Sequence, residues 1–183
     1  MHLWYIYKNG ETFIFLGDNF SGKSSILLYG LMHGYKCISD DLLFYNINKE
    51  KFIPYYKPAG IRSTSKKISS EFSSLYDSLD EIEHKDFLNK YNNVTTRIFH
   101  LDDLFENPFI DFEVPADNIF FLSDLDNKTL DFGERINLIE KGCCYSNITN
   151  EMKFQTIINI NNKVKTIRYI KKKGDLNELF KKI

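Results

Sequence analysis

Phe13-Ile14-Phe15-Leu16-Gly17-Asp18-Asn19-Phe20-Ser21-Gly22-Lys23-Ser24 is the stretch whose reading decides the fold. Its first four residues are an apolar run of strand type. The next eight satisfy G-x-x-x-x-G-K-[ST]. From Lys23 to about His33 the pattern turns helical, with Ile26, Leu27, Gly30 and Leu31 on one side and Gly34 as the stop. A loop between a strand and a helix can turn its backbone N–H groups around phosphate oxygens. Glycines permit the dihedrals and the close approach, and the helix N-terminus adds partial positive charge. Lys23 can reach β- and γ-phosphates, and the Ser24 hydroxyl can coordinate Mg²⁺. Gly17, Asp18, Asn19, Phe20, Ser21, Gly22, Lys23, Ser24 and Ser25 are therefore the candidate nucleotide-binding residues. Average composition produces this pattern by chance in only about one chain in a hundred of this length.

Working outward, the 183 residues suffice for one domain with a sizeable core. Lysine plus arginine is 24 and aspartate plus glutamate is 25, a net charge of −1. That balance argues against electrostatic capture of nucleic acid or of an anionic membrane. Lys171-Lys172-Lys173 and Lys181-Lys182 are short basic clusters that read as solvated surface. No apolar run approaches the roughly 20 residues needed to span a bilayer. The start, MHLWYIYKNGE, lacks the basic and apolar regions of a signal peptide. Cys37, Cys143 and Cys144 form neither a disulfide framework nor a zinc knuckle, and read as reduced thiols of a cytoplasmic protein. The 16 Phe and 11 Tyr are expected to fill the core and leave room for a self-association surface.

Upstream, His2–Tyr7 and Thr12–Leu16 flank Asn9-Gly10, a hairpin signal. Downstream, Tyr35–Ser39 reads as a short strand ending in Asp40-Asp41. Leu42–Asn46 and Lys51–Tyr56 read as a second hairpin, and Pro54, Pro58 and Gly60 as a loop. Ile68, Phe72, Leu75, Tyr76 and Leu79 stand at helical spacing, and the polar stretch Glu81–Asn93 is expected to end that helix. Val94–Leu101 and Asn118–Leu122 read as strands, Glu134–Cys144 as a helix after Asp131-Phe132-Gly133. Phe154–Ile160 and Lys163–Ile170 read as strands around Asn161-Asn162. Asp175 is expected to cap a terminal helix. This order predicts a single α/β domain over residues 1–183, a mixed sheet with hairpins rather than regular βαβ alternation.

Asp40 and Asp41 lie 17 and 18 residues after Lys23, at the end of the next strand. Two adjacent carboxylates at a strand end can divide labour, one toward Mg²⁺ and one accepting a proton from an attacking hydroxyl. His2 lies on the strand expected to pair with the one feeding the loop. Together these positions resemble the catalytic domain of HPr kinase/phosphorylase and its smaller relatives, which share a core with phosphoenolpyruvate carboxykinase. The resemblance runs through His2, GDNFSGKSS at 17–25 and ILLYGLMHGYKCISDD at 26–41. The spacings are 15 residues from His2 to Gly17 and 23 from Gly17 to Asp40. It also touches Ile157–Tyr169, read as strands, and Gly174-Asp175-Leu176. At Tyr56–Arg62, where the family carries a Glu-containing signature, this chain has no carboxylate.

The resemblance implies a phosphate-loop fold of the HPr kinase C-terminal type. It implies an ATP- and Mg²⁺-dependent kinase that phosphorylates a hydroxyl, serine above all, of a peptide, protein or small acceptor. Lys23 and the loop amides would hold ATP, and Ser24 and Asp41 the metal. Asp40 would be the base, with His2 orienting it. Apart from the resemblance, Lys57 and Arg62 read either as charges that neutralise transferred phosphate or a substrate acid, or as solvated loop charges. The rival readings are a phosphate-loop NTPase, with Ile119–Leu122 then Ser123-Asp124 as its metal strand, and a nucleotide-binding regulatory protein without turnover.

Overall fold

Asn9 and Gly10 both take positive φ, 53° and 87°, and this pair of left-handed residues folds the first hairpin back on itself. The computed structural model describes residues 2–18, 21–40, 44–90, 92–124, 130–142, 148–171, 175–181 and 183, the side chains of residues 2–4, 40 and 142 excepted. In chain order the elements are β1 (His2–Lys8), β2 (Glu11–Gly17), α1 (Lys23–Met32), β3 (Lys36–Asp40), β4 (Phe44–Asn46) and β5 (Lys51–Ile53). Then come β6 (Ala59–Arg62), α2 (Ser70–Ser78), β7 (His84–Asn89), β8 (Val94–Phe99), β9 (Asn118–Ser123), α3 (Phe132–Gly142), α4 (Asn150–Lys163), β10 (Thr166–Lys171) and α5 (Leu176–Lys181). The chain divides into two compact units, one of residues 1–55 with 109–183, the other of residues 56–108.

The first unit is built on a five-stranded mixed sheet in the order β10-β9-β2-β1-β3. β9 runs parallel to both β2 and β10, and β1 runs antiparallel to both β2 and β3. The carboxyl ends of β2, β3, β9 and β10 therefore share one edge of the sheet with the amino end of β1. Residues 12–17 of β2 are buried without alternation, as a central strand covered on both faces requires. On one face α1 lies against the sheet, with Gly30 packed close to Ile6 and to Phe180 of α5. On the same face the Phe15 and Phe120 rings meet at 5.4 Å, and each aromatic so buried contributes roughly 1.5–3 kcal/mol. On the other face Leu138 and Ile139 of α3 and Ile157 and Ile160 of α4 close a core with Ile14, Leu16, Ile119 and Phe121.

The opposite edge of the sheet is tied by a buried polar knot. The Thr12 N–H donates to Asp117 Oδ2 at 3.1 Å, and the Asp117 N–H donates back to Thr12 Oγ1 at 2.8 Å. The Thr12 hydroxyl lies within bonding distance of Asp117 Oδ2 and of the Pro115 carbonyl, which also accepts from the Tyr5 hydroxyl. Lys165 reaches Asp117 Oδ1 at 3.2 Å, and its ammonium is held above the usual lysine range by hydrogen bonds to Glu11 and Asp117. The starts of β2, β9 and β10 are thereby pinned together.

The second unit carries β6, β8 and β7 in that order, all antiparallel, with α2 capped by the Ser69 hydroxyl on the Phe72 N–H. Phe72, Leu75, Tyr76 and Leu79 are buried, as their helical spacing predicts, whereas Ile68 is exposed.

Several expectations are corrected. Phe154–Ile160 is not a strand but part of α4: Thr156, Ile157, Ile160 and Asn161 are buried at helical spacing, and Thr149 caps the helix through the Met152 N–H. The isoleucines suggested a strand, but the cap and the spacing decide for a helix. β10 consequently has no hairpin partner before it and pairs parallel with β9. Within Glu81–Asn93 stands β7, an edge strand whose Phe87 and Leu88 are both exposed, so no alternation betrayed it. Gly60 belongs to β6 rather than to a loop. The α/β class and the mixed sheet with hairpins are observed.

Candidate nucleotide-binding site

The loop after β2 is shaped by close approach. A Cβ on Gly17 would come within 2.6 Å of Ser21 Oγ and 3.1 Å of Leu122 Cβ, so any other residue there would force Ser21 to shift. The Ser21 N–H donates to the Asp18 carbonyl at 3.3 Å. Gly22 takes φ 95° and ψ 8°, a left-handed conformation at the N-cap of α1. No side chain caps α1, and no acidic residue stands in its first turn. Its leading N–H groups and the positive end of its dipole are thus not quenched by an intrahelical carboxylate.

Lys23 is buried, 6% exposed, at the first position of the helix. Its ammonium donates to the Gly17 carbonyl at 3.0 Å, to the Asp18 carbonyl, and to Ser21 Oγ at 3.3 Å. A lysine is rarely this buried without partners, and here the loop backbone supplies them. Ser24 and Ser25 follow, half-buried in the first turn. Asn19 and Phe20 lie outside the described residues, as does Asp41.

Strand register brings the remaining candidates to the same edge. His2 of β1 pairs with Gly17 of β2, and Trp4 of β1 pairs with Asp40 of β3. The backbones of His2, Gly17 and Asp40 therefore converge there; the side chains of His2 and Asp40 are outside the described residues. On the far side of β2 the same edge carries Ser123 and Asp124 at the end of β9, and Lys171, which pairs with Ser123, at the end of β10. Asp124 stood out in the sequence as a carboxylate after an apolar run. Ser123 and Lys171 did not, because nothing local signals the parallel pairing of β9 with β2 and β10. Lys57 and Arg62 belong to the 56–108 unit.

The donor set suits Mg²⁺ bound with a nucleotide. Magnesium keeps several waters and is held by a hydroxyl or one or two carboxylates plus phosphate oxygens, not by a protein cage. Ser24 lies in the uncapped first turn beside the buried Lys23. Among the described residues no three His, Cys, Asp or Glu side chains gather into a metal cluster, and no helix is long and apolar enough to cross a membrane.

No protein-family model matches the chain, and no curated protein matches it.

Proposed function

We propose that this chain is an ATP- and Mg²⁺-dependent kinase with a phosphate-loop fold of the HPr kinase and phosphoenolpyruvate carboxykinase type. It would transfer the γ-phosphoryl group to a hydroxyl, serine above all, of a peptide, protein or small acceptor. The observation that carries this reading is the strand register that sets His2 beside Gly17 and Trp4 beside Asp40. A phosphate-loop motif and a carboxylate-bearing strand end thereby belong to one sheet edge.

In this reading Lys23 turns from the loop carbonyls to the β- and γ-phosphates, and the loop amides take the other oxygens. Asp40 accepts the proton of the acceptor hydroxyl, with His2 orienting it. The hydroxyl oxygen forms a bond to the γ-phosphorus as the bond to the β–γ bridging oxygen breaks, and ADP carries that electron pair away. Ser24 and Asp41 would hold Mg²⁺, which supplies charge neutralisation on the phosphate oxygens.

The test is γ-labelled ATP with Mg²⁺, with and without lysate from the protein's own source, for the parent chain, Lys23→Ala and Asp40→Asn. Label on an acceptor that vanishes in both variants supports the kinase. Free phosphate that persists in Asp40→Asn would move the reading to a phosphate-loop NTPase. Binding without turnover in any form would leave a nucleotide-binding regulatory protein.

A further inference from the structure

We propose that Asp124 reads the ribose of the nucleotide held by the phosphate loop, so that the ligand is a ribonucleotide recognised at both ends. Asp124 takes this role only if the loop binds a nucleotide as proposed above.

The topology supplies the reason. From β2 the chain leaves through α1 toward β3, on one side of the sheet. From β9 it leaves through α3 and α4 to β10, on the other side. The helices lie on opposite faces: α1 with Gly30 near Ile6, and α3 and α4 with Leu138, Ile139, Ile157 and Ile160 against Ile14 and Leu16. Neighbouring parallel strands whose connections depart in opposite directions leave a crevice at their carboxyl ends, and ligands of open α/β sheets lodge there. Among the described residues, Gly17, Asp18 and Ser21–Lys23 stand on one side of that crevice, and the end of β9, Ser123 then Asp124, on the other. Gly17 sits close enough to Leu122 that a side chain would intrude between them, at 3.1 Å from the Leu122 Cβ.

Direction follows from where α1 lies. It packs over β1 and β3, the side that carries Asp40. Phosphates aligned on its N-terminus and facing Asp40 leave the remainder of the nucleotide to extend across β9. Asp124 is exposed at that strand end, one strand spacing of about 4.8 Å from the loop strand. An ionised carboxylate only accepts hydrogen bonds. The vicinal 2′,3′-hydroxyls of ribose offer it two donors, and such charge-assisted pairs are the strong kind.

Isothermal titration of the full chain with Mg²⁺ and ATP, 2′,3′-dideoxy-ATP or tripolyphosphate tests this, using the parent, Asp124→Asn and Asp124→Ala. The parent should bind ATP at least about tenfold more tightly than dideoxy-ATP, the weight of one hydrogen bond to a charged group. Both variants should lose that preference and keep the parent's affinity for tripolyphosphate. A parent that binds both nucleotides equally, or variants that keep the preference, would overturn the ribose assignment alone. Variants that lose tripolyphosphate as strongly as ATP would also overturn it, because Asp124 would then serve the phosphates or the metal. A parent that binds neither ATP nor tripolyphosphate would remove the phosphate-loop reading itself.

Discussion

The ammonium of Lys23 donates to the carbonyl oxygen of Gly17 at 3.0 Å, the last residue of the strand that leads into the loop. The bond helps hold a buried positive charge at the mouth of α1, together with bonds to the Asp18 carbonyl and to Ser21 Oγ. That arrangement suits exchange, because phosphate oxygens are stronger acceptors for an ammonium than carbonyls. Lys23→Ala is expected to weaken Mg²⁺·ATP binding by about 100-fold or more, at roughly 1–3 kcal/mol per hydrogen bond to a charged group. Titration calorimetry measures the affinity, and urea unfolding checks that the fold persists. An affinity within threefold of the parent would remove Lys23 from the site.

Gly22 holds φ 95°, where a Cβ meets nothing within 4 Å but the backbone itself resists an L-residue. Gly22→Ala should therefore cost about 1–2 kcal/mol from the left-handed conformation alone. Gly17→Ala acts differently, through the 2.6 Å approach to Ser21 Oγ and the 3.1 Å approach to Leu122 Cβ. It should weaken ATP binding more than it lowers stability, and Gly22→Ala should lower both. Comparing urea midpoints with ATP affinities for the two variants separates strain from collision.

How far the sequence foretold this site depends on how local each feature is. The motif, the Asn9-Gly10 turn and the Phe72–Leu79 stripe are written in neighbouring residues, and the structure has the corresponding hairpin, loop and helix. α3 starts at Phe132, two residues before the expected Glu134, because Asp131 and Glu134 each accept the other's N–H and so close its first turn. What failed was non-local or masked by composition. β-Branched isoleucines in α4 mimicked a strand, and the deciding Thr149 cap lies outside the apolar run. The parallel pairing joins β2 to β9 across 105 residues (Phe13 with Asn118) and β9 to β10 across 48 (Asn118 with Thr166), so the arrival of Ser123 and Lys171 at the loop edge had no local trace.

Asp117 is the counterpart of the loop at the other edge of the sheet, and the residue is buried, 8% exposed. Asp117→Ala would orphan the buried Thr12 N–H and remove a charged acceptor, for a loss of about 2–4 kcal/mol. ATP affinity should stay unchanged, because the knot and the loop stand at opposite ends of β2. Because Thr12 and Asp117 bond each other, Thr12→Val and Asp117→Ala should be non-additive by about 1 kcal/mol in a double-mutant cycle. Full additivity would mean that the two act separately.

Tyr45 makes the sharpest pH prediction. Its ring packs on Phe52 at 4.9 Å, and its hydroxyl is buried with no hydrogen-bond partner among the described residues. Burial first, and the nearby Glu50 charge second, push its pKa up to about 12. In the unfolded chain the same phenol ionises near 10. Above that pH the unfolded state holds fewer protons than the folded one, so stability falls as pH rises. The contribution is complete below pH 10 and is lost progressively between 10 and about 12. Tyr45→Phe removes both the ionisation and the unsatisfied hydroxyl. It should be neutral to stabilising by up to about 1 kcal/mol at pH 7, and its unfolding free energy should fall less steeply with pH above 10. Absorbance at alkaline pH should show one fewer tyrosine titrating near 12. A loss of stability at neutral pH would show that the hydroxyl is bonded in the folded protein, and the alkaline argument would fail with it.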